Sequence, residues 1–496
     1  MFLSHKKTEL LFFGLCFVSL FIFFSYVHPL IPYDGDDWYF LAAAREPYPC
    51  WGVWNPVKVL PETVMPLCGY LSAYVFRPVI GDYVSSITVC AALIISSAIT
   101  VYFYSFYRLI DLKFDLQFKG SLLSVLLLVL FHFMIFKSHQ FNNIYMFYSS
   151  NLTCYFHYGL PALVNSVLVL YLFSTDDFLT IDITKNGMMI LALYLAIFSN
   201  IYHSVILAMY IFVRLARAYF KNSEKHNCYS ISFLKEFVRN NCGWFIVMAV
   251  WFLSLFFEAH GGRANQIGHS IFTLPLKQTL ICCGHLLKQI SVNFGIVLFI
   301  ILWSARVIYL KSKNKDCTDF MYRDIVVQSL FCLGLVLVYT VLVSAKANPY
   351  YMANADVAIS FLFYLFVILC FSIAYILKRV PKVIKVFPLI CFIIAVQTFN
   401  SDSHFRESNT KNIAPSKCIA VDNNIVKQII EADRAGKKKM ILVVPKGNNH
   451  DNWPHPVYMG PNISKTLFTH GIISQMVDIS IKPDENMNMR FHLGNK

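Results

Sequence analysis

The chain alternates long apolar runs with short polar connectors. Apolar segments fall near residues 9–27, 84–107, 119–136, 158–173, 187–200, 203–219, 243–257, 290–310, 324–343, 357–377 and 384–398. A helix rises about 1.5 Å per residue and the hydrocarbon core of a bilayer is about 30 Å thick, so these runs predict membrane-spanning helices, about eleven in all. The exceptional stretch is 187–219, where Asn200-Ile201-Tyr202-His203 interrupts the apolar pattern. Two short spans, or a re-entrant pair, fit it better than one very long helix. Residues 28–83 form the first extramembrane loop in this reading, and 399–496 a soluble tail. Within the tail, 425–435 has helical periodicity ended by Gly436, and 440–444 reads as a buried strand ended by Pro445. A second helix and strand fall across 463–481. The expectation is an all-α polytopic membrane protein over residues 1–398, two of its spans short, followed by a small α/β C-terminal domain over 399–496.

Composition agrees with the pattern. Of 496 residues 57% are apolar and 14% charged, with a mean hydropathy of +0.55; soluble domains have about 45–50% and about 25%. A soluble cytosolic enzyme and a disordered chain are both excluded. The net charge of +14 would suggest nucleic acid in a soluble protein. Here it sets orientation instead. The N-terminus and the alternate loops near 108–119, 174–187, 214–240, 306–323 and 378–385 hold 21 Lys and Arg, against 8 in the loops near 28–83, 137–157, 258–289 and 344–356. That asymmetry places the N-terminus in the cytoplasm and, with an odd number of crossings, the tail outside. The first run follows Lys6 and Lys7, and His28-Pro29-Leu30-Ile31-Pro32 holds no small-x-small cleavage site, so it reads as an uncleaved anchor. Fourteen cysteines include no C-x-x-C pair. Cys50 and Cys68 share the first loop and are candidates for a bridge in an oxidising compartment, although connectivity needs geometry.

The sharpest chemical feature is Pro32-Tyr33-Asp34-Gly35-Asp36-Asp37-Trp38-Tyr39, directly after the first run. An Asp at mid-bilayer costs about 2.5–3.5 kcal/mol on insertion scales, so three together belong at the surface or beside a watered cavity. Crowded carboxylates raise one another's pKa and prepare a proton acceptor near neutrality. Trp38 and Tyr39 read as interface residues holding the cluster at headgroup depth. The simpler alternative is a solvated acidic turn that caps a helix, with Asp37 at the N-cap. His450-Asp451-Asn452-Trp453-Pro454-His455 in the tail matches no zinc spacing and reads as a loop.

An acidic pair just after the first span, on a large external loop, resembles the GT-C class of membrane glycosyltransferases, which use polyprenyl-phosphate sugars. The D-G-D-D-W start, Trp54-Asn55-Pro56 and Val59-Leu60-Pro61-Glu62 are similar to the bacteriophage-type serotype-converting O-antigen glucosyltransferases of enteric bacteria. The motif likeness covers about residues 32–66. It implies a bacterial inner-membrane enzyme that moves glucose from undecaprenyl-phosphate glucose to O-antigen repeat units of lipopolysaccharide at the periplasmic face. A separate polyprenyl-phosphate glucosyltransferase and a small flippase are its implied partners; nucleic acid is not. By the same resemblance Asp36 or Asp37 is the general base, and Asp34 orients the base or the sugar. No cofactor is required, although the acidic cluster also suits a divalent metal.

The leaving phosphate needs cations on the outer face. Arg263, in Glu258-Ala259-His260-Gly261-Gly262-Arg263, suits a bidentate grip. Lys346 is the sole cation of its loop and is followed by Tyr350 and Tyr351, a pair suited to sugar stacking. His203 sits at the break between the paired runs. Arg45, Lys58 and Glu62 share the first loop and are weaker candidates, with Glu62 and Trp38 placed toward substrate. Another cell-envelope glycosyltransferase, an O-antigen polymerase and a lipid-linked-sugar flippase are the competing readings. The flippase would need charged or broken helices at mid-membrane and related halves.

Overall fold

A computed structural model describes residues 2–43, 57–116, 118–137, 142–175, 179, 183, 186–223, 231–260, 274–312, 315–398, 404–407, 409, 413–447, 453–454 and 459–493. Among the described residues eight helices are long and apolar enough to cross a membrane: Lys6–Val27, Tyr83–Phe114, Leu152–Ser174, Ile201–Lys221, Cys242–Ala259, Val292–Lys311, Cys317–Ala347 and Ala355–Arg379. Three shorter apolar helices, Phe118–Met134, Gly187–Ile197 and Phe387–Thr398, fall on the other runs of the apolar pattern. The protein is therefore an all-helical multi-pass bundle with little sheet.

Burial sorts the helices into an axis and a periphery. In Ala355–Arg379, 94% of the most apolar window is buried, against 11% in Val292–Lys311. A helix apolar on all sides packs inside. Tyr83–Phe114, Phe118–Met134, Ile201–Ser223, Val292–Lys311 and Cys317–Ala347 all pack on this axis.

The break near residue 200 is real, but its two sides are unequal. Gly187–Ile197 has 11 residues, enough for about 16 Å. Ile201–Ser223 has 23 and is long enough to cross, which corrects the expectation of two short spans. Asn200 makes the break: its Oδ1 accepts from Tyr202 N at 2.8 Å and its Nδ2 donates to His157 O at 2.8 Å. The side chain thus replaces backbone partners that the helix lacks there.

The tail has the helix–strand order expected of it. Pro415–Arg434 starts some ten residues before the periodic stretch, with Pro at its first position, and ends before Gly436 at φ +66°. Lys439–Pro445 pairs in parallel with Asp478–Asp484, Lys439 opposite Asp478 and Pro445 opposite Asp484, and Met459–Thr469 connects them. A second parallel pair, Asn142–Asn143 with His404–Phe405, ties the start of the tail to the connector after Phe118–Met134.

This tail lies directly on the first loop. Thr466 Oγ1 donates to Trp38 O, and Trp453 stacks on Tyr33 with ring centroids 5.3 Å apart. His470 is buried against Tyr83, whose hydroxyl is 2.5 Å from Nδ1. Burial holds the His470 pKa down at about 4. Gly69, in the Pro61–Leu71 helix, marks the closest approach. A Cβ there would collide with Leu41 O and come within 2.7 Å of His470 Cε1. Gly69→Ala should therefore destabilise the protein by about 1–3 kcal/mol. Gly159→Ala, whose Cβ would meet nothing within 4 Å, should be neutral or mildly stabilising. Thermal unfolding of the two variants side by side checks this; equal midpoints would contradict the packing.

Candidate active site

The D-G-D-D segment builds a helix start. Gly35–Ala42 is capped by Asp34, whose carboxylate accepts from Asp36 N at 3.1 Å. Asp37, at the third helical position, closes a reciprocal capping box by accepting from Asp34 N at 3.0 Å. The cap is thus Asp34, which corrects the alternative that put Asp37 there. Asp37 does more than cap: Oδ2 also accepts from Tyr33 N at 2.7 Å, and Oδ1 accepts from both Thr153 N and Thr153 Oγ1 at 2.6 Å. Two segments more than a hundred residues apart are joined through one carboxylate that is fully buried. Burial, then the neighbouring Asp34 charge, raise its pKa to about 7 against the pull of these hydrogen bonds.

Asp36, between the two, is exposed. Three neighbouring acids therefore have three environments: a half-exposed cap, an outward carboxylate and a buried tie. Trp38 is fully buried beneath the tail, so its ring is not the exposed interface anchor that the sequence suggests. On Gly35–Ala42 Trp38 is buried together with Leu41, while Tyr39 remains 42% exposed. Glu62 is half-buried in the first turn of Pro61–Leu71.

A further acid meets this site from the bundle axis. Asp356 occupies the first turn of Ala355–Arg379, is 7% exposed, and keeps Oδ1 without a hydrogen-bond partner among the described residues. Ser149 lies beside it, and the Cys154 thiol, one residue after Thr153, stands in the fields of Asp356, Asp37 and Asp34. Helix Leu152–Ser174 therefore begins between the first-loop acids and Asp356, at a π-helical turn over Tyr155–Gly159. Such turns recur at functional sites.

His203 joins this group from inside. It is fully buried, and Nε2 donates to Asp356 O at 2.8 Å. It supports the axis helix, which corrects its assignment to an outward-facing phosphate site. Tyr158 stands edge-on to His203 at 5.9 Å, Tyr202 is 6.3 Å from Tyr158, and Tyr351 meets Tyr202 at 6.0 Å. Tyr351 is half-buried and Tyr350 is 64% exposed, so only one of the pair belongs to this aromatic row. Lys346 lies in the last turn of Cys317–Ala347 and is half-buried. Arg263 and Arg45 lie outside the described residues, as do Trp54, Asn55 and Pro56.

The tail adds residues that the sequence did not single out. Arg406 stands near the Tyr148 hydroxyl, and its backbone carbonyl accepts from His28 Nε2. Tyr148 donates to Glu407 O at 3.2 Å. Burial raises Glu407 to about 7 and lowers His28 to about 4. Asp422 is fully buried with Trp453 Nε1 donating to Oδ1 at 3.1 Å, and burial drives its pKa far above the carboxylate range, with Asp37 adding to the effect. Trp453 is therefore a structural link between tail and first loop. Among the described residues no group of three or more His, Cys, Asp or Glu is placed to hold a metal ion.

The opposite end of the bundle has the reverse character. Arg379 Nη2 bridges Asp316 at 2.5 Å and Asp319 at 2.9 Å, Arg217 pairs with Asp324, and Lys378 donates to Asp115 O. At this end Asp side chains pair with Arg, whereas at the first-loop end the buried acids accept from backbone, hydroxyl and indole donors. Compared with protein-family models, with curated proteins and with solved structures, the chain matches none.

Proposed function

We propose that this protein is a membrane glycosyltransferase of GT-C type, transferring glucose from undecaprenyl-phosphate glucose to O-antigen repeat units on the outer face of a bacterial inner membrane. The observation that carries the reading is the convergence of the first-loop acids with Asp356, the Tyr158–Tyr202–Tyr351 row and the tail at one end of an apolar bundle. An exposed carboxylate beside aromatic surface at a membrane boundary suits a lipid-linked sugar and a hydroxyl acceptor. The Lys and Arg at the other end favour a cytoplasmic N-terminus and a periplasmic tail.

In this reaction Asp36 takes the proton of the acceptor hydroxyl as that oxygen attacks the anomeric carbon. The bond from that carbon to the phosphate oxygen breaks, through an oxocarbenium-like transition state, and polyprenyl phosphate leaves with inversion. Asp37 keeps Asp36 in place by fixing the helix start. Lys465, whose Nζ lies 5.9 Å from the Tyr39 ring on the Asp36 helix, is a described cation beside this chemistry, and Lys346, Arg406 and Arg263 are the further candidates for the leaving phosphate.

The test is made in O-antigen-bearing cells supplied with the donor-forming enzyme and the flippase. Expression of the chain should add one hexose per O-antigen repeat, read by mass spectrometry of the released polysaccharide. An unmodified polysaccharide, with the protein present in the membrane, would overturn the assignment of this acceptor. A lipid-linked-sugar flippase is the second reading. The helix break at Asn200 favours it, whereas Asp356, in the first turn of the axis helix, is not the mid-membrane charge that it needs. It predicts movement of labelled lipid across vesicles with no new glycosidic bond.

A further inference from the structure

The Pro61–Leu71 helix of the first loop lies against the outer turns of Tyr83–Phe114. Its packed face is Met65, Cys68 and Ser72, all fully buried; the opposing face is Tyr83, Ile87, Cys90 and Ala91, also buried. Spacings of three and four residues on both sides stack one helix row against another. Ser72 Oγ donates to Cys68 O at 2.6 Å, and the Ser72 side chain interacts with both thiols. Cys68 and Cys90 are both free thiols on these facing rows, each close enough to shift the titration of the other. The neighbouring Gly69 fixes the roll of this helix, because its open side is filled by Leu41 O and the His470 ring. The Cys68 thiol is thereby held toward Cys90.

We propose that Cys68 and Cys90 form a disulfide that pins the first-loop helix to the bundle. This rests on the outward orientation of the acidic end given above, since a structural disulfide persists in an oxidising compartment. In the bond-forming step each thiol gives up a proton, and the pair gives up two electrons to the disulfide of a thiol–disulfide exchange protein, which leaves as its dithiol. The new S–S bond closes the chain between residues 68 and 90 and restricts the unfolded ensemble. It also steadies the site, because Gly35–Ala42, which carries Asp36, rests on Pro61–Leu71. Cys50, the alternative partner for Cys68, lies outside the described residues.

The bond is tested on the full chain in membranes. Free thiols are alkylated in denaturant without reductant, and the digest is analysed by mass spectrometry. The expected result is a Cys68–Cys90 linked peptide pair that disappears on reduction. Recovery of both residues as alkylated thiols, or of Cys68 joined to Cys50, overturns the proposal. The Cys68→Ser and Cys90→Ser variants should lose equal thermal stability, and the double variant no more than either. Additive losses would mean two separate packing defects and no bond. A reporter fused after Lys496 separates the two levels of failure. Free thiols with an exported reporter remove the bond alone, whereas free thiols with a cytoplasmic reporter remove the orientation as well.

Discussion

If Asp36 is the proposed base, Asp36→Asn should lower sugar transfer by about 100- to 10,000-fold while the protein reaches the membrane at its normal level. The size follows from the role: a general base that loses its charge no longer draws the proton from the acceptor as the new bond forms. The intact fold follows from the structure. The Asp36 side chain is exposed, whereas the backbone N–H is what Asp34 accepts, and Asn retains that N–H. KM for the lipid-linked donor should change little, because the carboxylate acts on the other substrate. Transfer assays on membranes matched for protein content check the prediction, and near-normal transfer would remove Asp36 from the chemistry.

Asp37→Ala has the largest expected effect on stability. Four donors, Tyr33 N, Asp34 N, Thr153 N and Thr153 Oγ1, converge on this buried carboxylate. Each buried donor left unpaired costs about 1–3 kcal/mol, so the loss should reach several kcal/mol and exceed that of an ordinary helix cap, about 0.5–2 kcal/mol. The first loop should become protease-sensitive and the thermal midpoint should fall. Asp37→Asn keeps the shape and one acceptor oxygen and should lie between. It should also change the pH profile. The folded-state pKa near 7 lies above the ordinary 3.8, so the folded form holds this proton more tightly. The contribution is full below about pH 4 and is lost as pH rises toward 7. The Asn variant should flatten that slope in thermal unfolding measured from pH 4 to 8. An Ala variant as stable as the parent would contradict the tie to Thr153.

How much of this was legible in the sequence depended on the range of each interaction. The membrane helices follow from runs of apolar residues, and Gly436 and the Oδ1 of Asn200 act within a turn of themselves, so both breaks are visible, although the bond from Asn200 to His157 O is not. The D-x-x-D spacing of Asp34 and Asp37 carried a capping-box signal, but any of three nearby acids can cap, and only the geometry separates them. Trp38 read as an interface residue because an indole is amphipathic. Its burial depends on Thr466 and the tail, more than four hundred residues away. The tail helix was read too short because Asp422, Asn423 and Asn424 interrupt its apolar face, although Cys418, Val421, Ile425 and Ile429 keep the helical spacing. Asp356 and Arg406 had no local mark at all. Asp356 is one acid at the edge of a long apolar run, and Arg406 reaches the site through the pairing of His404–Phe405 with Asn142–Asn143.

Formation of a glycosidic bond at the first-loop end of the bundle is what distinguishes the proposed transferase from a flippase. The most direct measurement reconstitutes the purified chain in vesicles with polyprenyl-phosphate glucose labelled in the sugar and with lipid-linked O-antigen. The expected result is label in the polysaccharide with the parent chain, none with Asp36→Asn, and release of polyprenyl phosphate in equal amount. Label that crosses the bilayer but stays on its lipid carrier, in the parent and in Asp36→Asn alike, would contradict it.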